Sequence, residues 1–189
     1  MAQKRKDWNG LISGFKASDL VFLDESGCNT DMTRRYAYSL GGSRAVDSEP
    51  LSKPKNTTIL SSIQLDGTLR YTTFSGGTTV ERFKRYLETD LLPHLNGNSV
   101  LIMDNMKSHH AKAVRNLLDS SGVRYIYLPP YSPDLNPIEK LWSKVKSFLR
   151  KFKARTLDAL PNAIQCAFQT VSPSDCSGWF HSCGYSPYF

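Results

Sequence analysis

Three acidic residues, Asp24, Asp104 and Glu139, have settings that could do chemistry. Asp24 closes the apolar run LVFL, Asp104 closes VLIM at 100–103, and Glu139 follows the proline-rich segment LPPYSPDLNPI and opens a helical pattern. Four apolar residues running into an aspartate read as a buried strand that delivers a polar side chain at its carboxyl end. The stretch 99–150 continues with a helix, a second apolar run at 123–128, the prolines, and a new helix on Glu139. Strand, helix and parallel strand form a βαβ unit, and such a unit puts both strand ends on the same side of the sheet. Asp24, Asp104 and Glu139 are therefore expected on one rim. Like charges held that close are unfavourable unless one takes a proton or a cation lies between them. Carboxylate oxygens suit Mg²⁺ or Mn²⁺, so the residue types point to a hard-metal site.

The elements that must position this rim can be read along the chain. TTILSSIQLDGTLRYTTF is two alternating runs joined by Asp66-Gly67, which predicts a two-residue type I′ hairpin. Thr78 and Glu81 have capping-box spacing ahead of Val80, Phe83, Leu87 and Leu91, and Pro93 with Asn96-Gly97 ends that helix. Ser108 is placed to cap a helix carrying Ala111, Val114, Leu117 and Leu118, with Gly122 at its stop and His109 and His110 in its first turn. After Glu139, an apolar stripe of Ile138, Leu141, Trp142, Val145, Phe148 and Leu149 is expected to pack on the sheet. A last helix carries Leu157, Leu160, Ile164 and Phe168, with Pro161 distorting its first turns or delaying its start to Asp158. Three antiparallel strands, two alternating helix and strand pairs and a final helix give an α/β chain with a mixed five-stranded sheet and helices on both faces, the order of a ribonuclease-H-like fold.

The 189 residues suit one domain, and 24 basic against 17 acidic residues give +7 and a pI near 9.3, a balance that favours a polyanionic partner without requiring one. Residues 1–19 form a short segment with the basic cluster Lys4-Arg5-Lys6, which reads either as a phosphate contact or as a solvated terminus. The domain proper is expected over 20–171, with a basic loop insertion at about 28–56, and 172–189 as an aromatic tail packed on it. Cys28, Cys166, Cys176 and Cys183 form no CxxC pair. Cys176, His181 and Cys183 lack a fourth zinc ligand, so the cysteines read as buried free thiols of a cytosolic, reduced protein.

The segments DESG, MTRRYA, IMDN, HH and above all LPPYSPDLNPIEKLW, with Glu139 following Asp104 by 35 positions, resemble the mariner-like superfamily of DDE transposases, with a bacterial insertion-sequence branch as the nearest in pattern. The resemblance runs from about Leu20 to Tyr185. It implies a ribonuclease-H-like catalytic domain holding two Mg²⁺ or Mn²⁺ ions on Asp24, Asp104 and Glu139, acting on transposon-end and target DNA as a homodimer in the bacterial nucleoid. It also implies helix-turn-helix domains upstream, for which residues 1–19 are too few, so a separate segment is expected to supply them.

Within that frame, His109 and Asn105 are candidates for active-site support: a histidine there either touches the scissile phosphate or steadies Asp104 through Asn105, or is a partly exposed structural residue. Arg34, Arg35 and Arg44, with Lys53 and Lys55, make the 28–56 insertion basic, and it reads as a clamp on DNA or a partner subunit or as a solvated loop. Lys140, Lys144, Lys146 and Lys151, continued by Lys153 and Arg155, are expected to face DNA phosphates. Glu139 has a second reading as half a capping box with Asn136 as N-cap and Pro137 at N1. Glu25 alternates with Asp24 and is expected on the opposite sheet face, while Asp134 reads as a turn residue. Ser26 and Tyr131 have no evident base, and no G-x-S-x-G elbow is present, which argues against covalent catalysis. The competing function is a non-cutting remnant or recruited subunit that binds DNA or another transposase chain.

Overall fold

The two strands that carry Asp24 and Asp104 lie side by side in the middle of the sheet. The structure, a computed structural model, describes residues 2–34, 36–48 and 54–185, with side chains from Lys6 onward. Strands β1 (Leu20–Cys28), β2 (Thr57–Gln64), β3 (Leu69–Ser75), β4 (Val100–Met103) and β5 (Arg124–Tyr127) form one five-stranded sheet in the order β3-β2-β1-β4-β5. The pairs β1–β2 and β2–β3 are antiparallel, and β1–β4 and β4–β5 are parallel. This is the mixed sheet expected of a ribonuclease-H-like fold.

Helices cover both faces because the central strands alternate between two apolar sets. Leu20, Phe22, Ile59, Ile63, Val100 and Ile102 pack against α4 (Ile138–Phe152), α5 (Ala159–Gln169), α6 (Pro173–Ser182) and α1 (Ala2–Ile12). Val21, Leu23, Leu60, Leu101 and Met103 pack against α2 (Val80–Tyr86) and α3 (Lys112–Ser121). The stripe of α4 is buried at Ile138, Leu141, Trp142, Val145 and Leu149. Each such side chain contributes about 1.5–3 kcal/mol of burial, which holds the start of α4 against the sheet.

Several local expectations change. The β2–β3 loop has three residues rather than two: Gly67 N–H donates to Gln64 O, Gln64 N–H to Thr68 O, and of the loop residues only Gly67 has positive φ, at 91°. That is a type I turn followed by a left-handed glycine, not a type I′ turn. A side chain at Gly67 would also meet Pro173 Cα at 3.0 Å. Thr79 rather than Thr78 caps α2, accepting from Arg82 N–H at 3.3 Å. Ala111, not Ser108, occupies the N-cap of α3, so His109 and His110 precede that helix. Helix α5 does start after Asp158, with Pro161 in its first turn where no intrahelical N–H bond is lost.

Both chain ends are more structured than their composition suggests. The tail forms α6, closed by a capping box between Ser172 and Asp175. Trp8 of α1 is buried and donates to Tyr185 Oη at 3.2 Å, and Tyr185 in turn donates to Leu135 O at 2.6 Å. The two ends thus meet beneath the loop that leads to Glu139. No helix among the described residues is long and apolar enough to cross a membrane.

Candidate metal centre at the carboxyl ends of the central strands

Register brings the two aspartates together. Leu23 pairs with Met103 across β1 and β4, so Asp24 and Asp104 are the next residues on neighbouring parallel strands. β1 does not end at Asp24 but runs on beside β2 to Cys28, whereas β4 stops at Met103. Asp24 therefore sits where the sheet splits, and its side chain enters the opening. From the third side, the loop after β5 delivers Glu139 in the first turn of α4. Asp24, Asp104 and Glu139 line one cavity of about 400 Å³, together with Asn105 and residues 128–133 and 136.

Each carboxylate is held differently. Asp24 is 7% exposed, and its Oδ2 accepts from Trp142 Nε1–H at 3.0 Å. Burial pushes its carboxyl up to about 7, with the charges of Asp104 and Glu139 adding to the rise and the Glu25 amide and Trp142 opposing it. Asp104 is also partly buried, which raises its carboxyl, but His109, the Met106 amide and the charges of both histidines outweigh this and hold it below the usual value. Its Oδ1 accepts from Met106 N–H at 3.0 Å and lies 2.8 Å from His109 Nδ1. The Glu139 carboxylate is exposed, and no hydrogen bond or ion pair engages it among the described residues. The capping-box alternative is not formed. Helix α4 starts after Pro137 with no side-chain cap, and only the Glu139 amide bonds to Asn136 O.

His109 is fully buried, not partly exposed, and contacts Asp104 directly rather than through Asn105. Its ring stacks on Phe83 with centroids 4.2 Å apart. Burial alone would lower its pKa, but Asp104 and Glu25 raise it to about 9. Asn105 braces the backbone instead. Its Nδ2 donates to Leu128 O, tying the end of β4 to the end of β5, and its Oδ1 lies 3.2 Å from His110 Nε2. Tyr131, at the cavity rim, is 87% exposed with φ of 55°.

The donor set is all carboxylate oxygen, mutually repulsive, with one member left unengaged, and this chemistry fits a hard divalent cation. Among the described residues no three His, Cys, Asp or Glu side chains yet close on a single point. The zinc alternative has no support either: Cys176 and Cys183 are buried free thiols, and burial pushes Cys176 up to about 11.

Fold and family match this arrangement. Residues 19–161 match the family model for the DDE superfamily endonuclease. The chain belongs to that family. As a DDE endonuclease-family chain it is 29% identical over 97 residues to the Tc1 transposase of Caenorhabditis elegans, a match covering 49% of this chain and 36% of the relative. The fold matches a pre-cleavage Mos1 transpososome with TM-score 0.81 and 20% identity, over 96% of this chain and 58% of that one. It also matches the Mos1 transposase catalytic domain solved with raltegravir and Mg, at TM-score 0.68 and 17% identity, over 94% and 86%. The chain thus spans a little over a third of the Tc1 protein and 58% of the Mos1 chain in the transpososome.

The cationic residues of this DDE-family chain are more committed than their sequence suggests. Lys144 Nζ lies 2.6 Å from Asp175 Oδ2, Lys153 Nζ lies 2.7 Å from Asp47 Oδ2, and Arg155 donates to Thr30 O and Met32 O at 3.2 Å. Lys153 and Arg155 therefore fasten the insertion after β1 to the end of α4. Arg34, Arg44 and Lys151 are exposed, and Lys140 is partly so. Arg34, Arg150 and Lys151 line a shallow cavity with Tyr36 and Ser147. Arg35 lies outside the described residues, as do Lys53 and the side chains of Lys4 and Arg5. Tyr36 and Tyr38 are fully exposed and belong to no strand. Sequence reasoning missed the Trp142 bond to Asp24, because an indole on an apolar stripe reads as packing alone. It also missed the contact of Glu25 with His109, which the two-residue strand period could have directed to the α2 face.

Proposed function

We propose that this chain is the catalytic domain of a DNA transposase, cleaving DNA strands and joining them to a target with divalent cations. The observation that carries the reading is the convergence of Asp24, Asp104 and Glu139, from two adjacent parallel strands and a helix start, on one cavity in a DDE endonuclease-family chain. These three carboxylates would hold the ions, two Mg²⁺ or Mn²⁺. When bound, such ions activate a water or 3′-hydroxyl nucleophile and stabilise the leaving oxygen. Solved Mos1 paired-end complexes contain Mn or Mg, which supports the choice of cation. The protein supplies placement: Trp142 aims Asp24, His109 aims Asp104, and the proline loop sets Glu139.

DNA is the proposed partner, with a second copy of the chain in the active complex and an upstream helix-turn-helix segment for recognition of transposon ends. Arg34, Arg35, Arg44, Lys140 and Lys151 are proposed to meet phosphates, which position DNA without reading its sequence. Lys144 would join them only by leaving Asp175. The working compartment is proposed to be the bacterial cytoplasm, at the nucleoid. The test is plasmid nicking by the purified chain with Mg²⁺ or Mn²⁺, beside Asp104→Asn checked for folding by circular dichroism. Nicking that needs the cation and disappears in the folded variant supports the reading, and nicking that persists in EDTA or in the variant overturns it.

A further inference from the structure

The face of β1 opposite Asp24 carries a buried acid for which the proposed chemistry has no direct use. Glu25 is one residue from Asp24 and points to the other side of the sheet, its side chain only 11% exposed, and it does not line the carboxylate cavity. Its Oε2 stands 3.4 Å from His109 Nε2, whose ring is fully buried against Phe83 and whose Nδ1 is 2.8 Å from Asp104 Oδ1. Among the described residues neither Oε2 nor Nε2 makes a hydrogen bond, although the two stand 3.4 Å apart. They face each other in a buried site, and leaving such polar atoms unpaired is costly.

We propose that Glu25 is a positioning residue for the metal centre, acting through His109 on Asp104. The imidazole must present an N–H to Asp104. Its two nitrogens face two acids, Nδ1 toward Asp104 Oδ1 and Nε2 toward Glu25 Oε2, so the ring is flanked by a carboxylate at each end. Glu25 therefore sets the angle of His109, Phe83 sets its plane, and Asp104 Oδ1 is held so that its other oxygen is left for the cavity. Partners behind a metal ligand commonly govern affinity in this way. Glu25 lies on one sheet face and Asp24 on the other, so the two consecutive acids of the DESG segment serve the centre from opposite sides.

The inference rests on the proposed metal site, and the experiment separates the two. Mn²⁺ binding to the full 189-residue chain is measured by electron paramagnetic resonance for wild type, Glu25→Gln and Glu25→Leu, each checked by thermal melting. If wild type binds no Mn²⁺, the metal-site reading fails. If wild type binds, Glu25→Leu should weaken affinity by about 10- to 100-fold, while Glu25→Gln, which keeps an accepting oxygen, should retain most of it. Equal affinity in wild type and Glu25→Leu, or equal loss in both variants, overturns the role of Glu25.

Discussion

Replacing Asp24 by Asn should stabilise the metal-free protein at pH 8 and do little at pH 4.5. The folded state holds the Asp24 proton up to about pH 7, whereas the unfolded chain releases it near 3.8. Between those values the folded protein binds more protons, so its stability falls as pH rises from about 4 to about 7 and then stays at the lower level. Below about 4 the carboxyl is neutral in both states and costs nothing. At 1.36 kcal/mol per pH unit the difference amounts to about 4 kcal/mol, or about 8–15 °C in Tm for a chain of this size. Asparagine is neutral at every pH and still accepts from Trp142, so it removes that cost. His109, with its value raised to about 9, contributes stability that is complete below 6.5 and lost as pH rises through 9, but this is common to both proteins. The assay is thermal melting in EDTA at the two pH values, then with Mn²⁺. Saturating Mn²⁺ should raise wild type by about 3 kcal/mol at a hundredfold excess over Kd and leave Asp24→Asn nearly unmoved. An equal difference at both pH values, or no gain at pH 8, would refute the charge argument.

Two further variants separate placement from packing. Glu139→Gln should change stability by less than about 1 kcal/mol, because only a helix-terminus charge is lost, yet abolish metal-dependent nicking; an active variant would remove Glu139 from the centre. Trp142→Phe should cost about 2 kcal/mol more at pH 8 than the packing loss alone, since a hydrogen bond to a charged group is lost, and less at pH 5, where Asp24 is neutral. Urea unfolding at the two pH values measures it, and a pH-independent cost would show that the indole only packs.

The central strands and the rim were legible because burial on both faces leaves a near-continuous apolar run, and such a run has few other meanings. LVFLD and VLIMD located Asp24 and Asp104, and the parallel register then followed from the helix between β4 and β5. Elements fixed by distant partners were not legible. Helix α6 has a weak apolar pattern and is held by Phe180 and Tyr185 against Phe22, with ring centroids 5.3 and 5.0 Å from it. Helix α1 depends on Trp8 reaching Tyr185, 177 residues away. The caps failed for a different reason. Thr78 and Thr79 are chemically equivalent neighbours, and Ser108 precedes two histidines drawn out of the helix by Asp104 and Asn105. At the site, alternation predicted that Asp24 and Glu25 would part, but what each would meet depended on α4 and on the turn after β4.

The claim that Asp24, Asp104 and Glu139 surround one metal centre is tested most directly by replacing Mg²⁺ with Fe²⁺ and letting ascorbate and peroxide generate hydroxyl radicals at the bound iron. Radicals cut the backbone close to where they form, so fragments should end near residues 24, 104 and 139, and excess Mg²⁺ should suppress all three together. Cleavage elsewhere, or at one of these positions without the others, would contradict a shared metal centre.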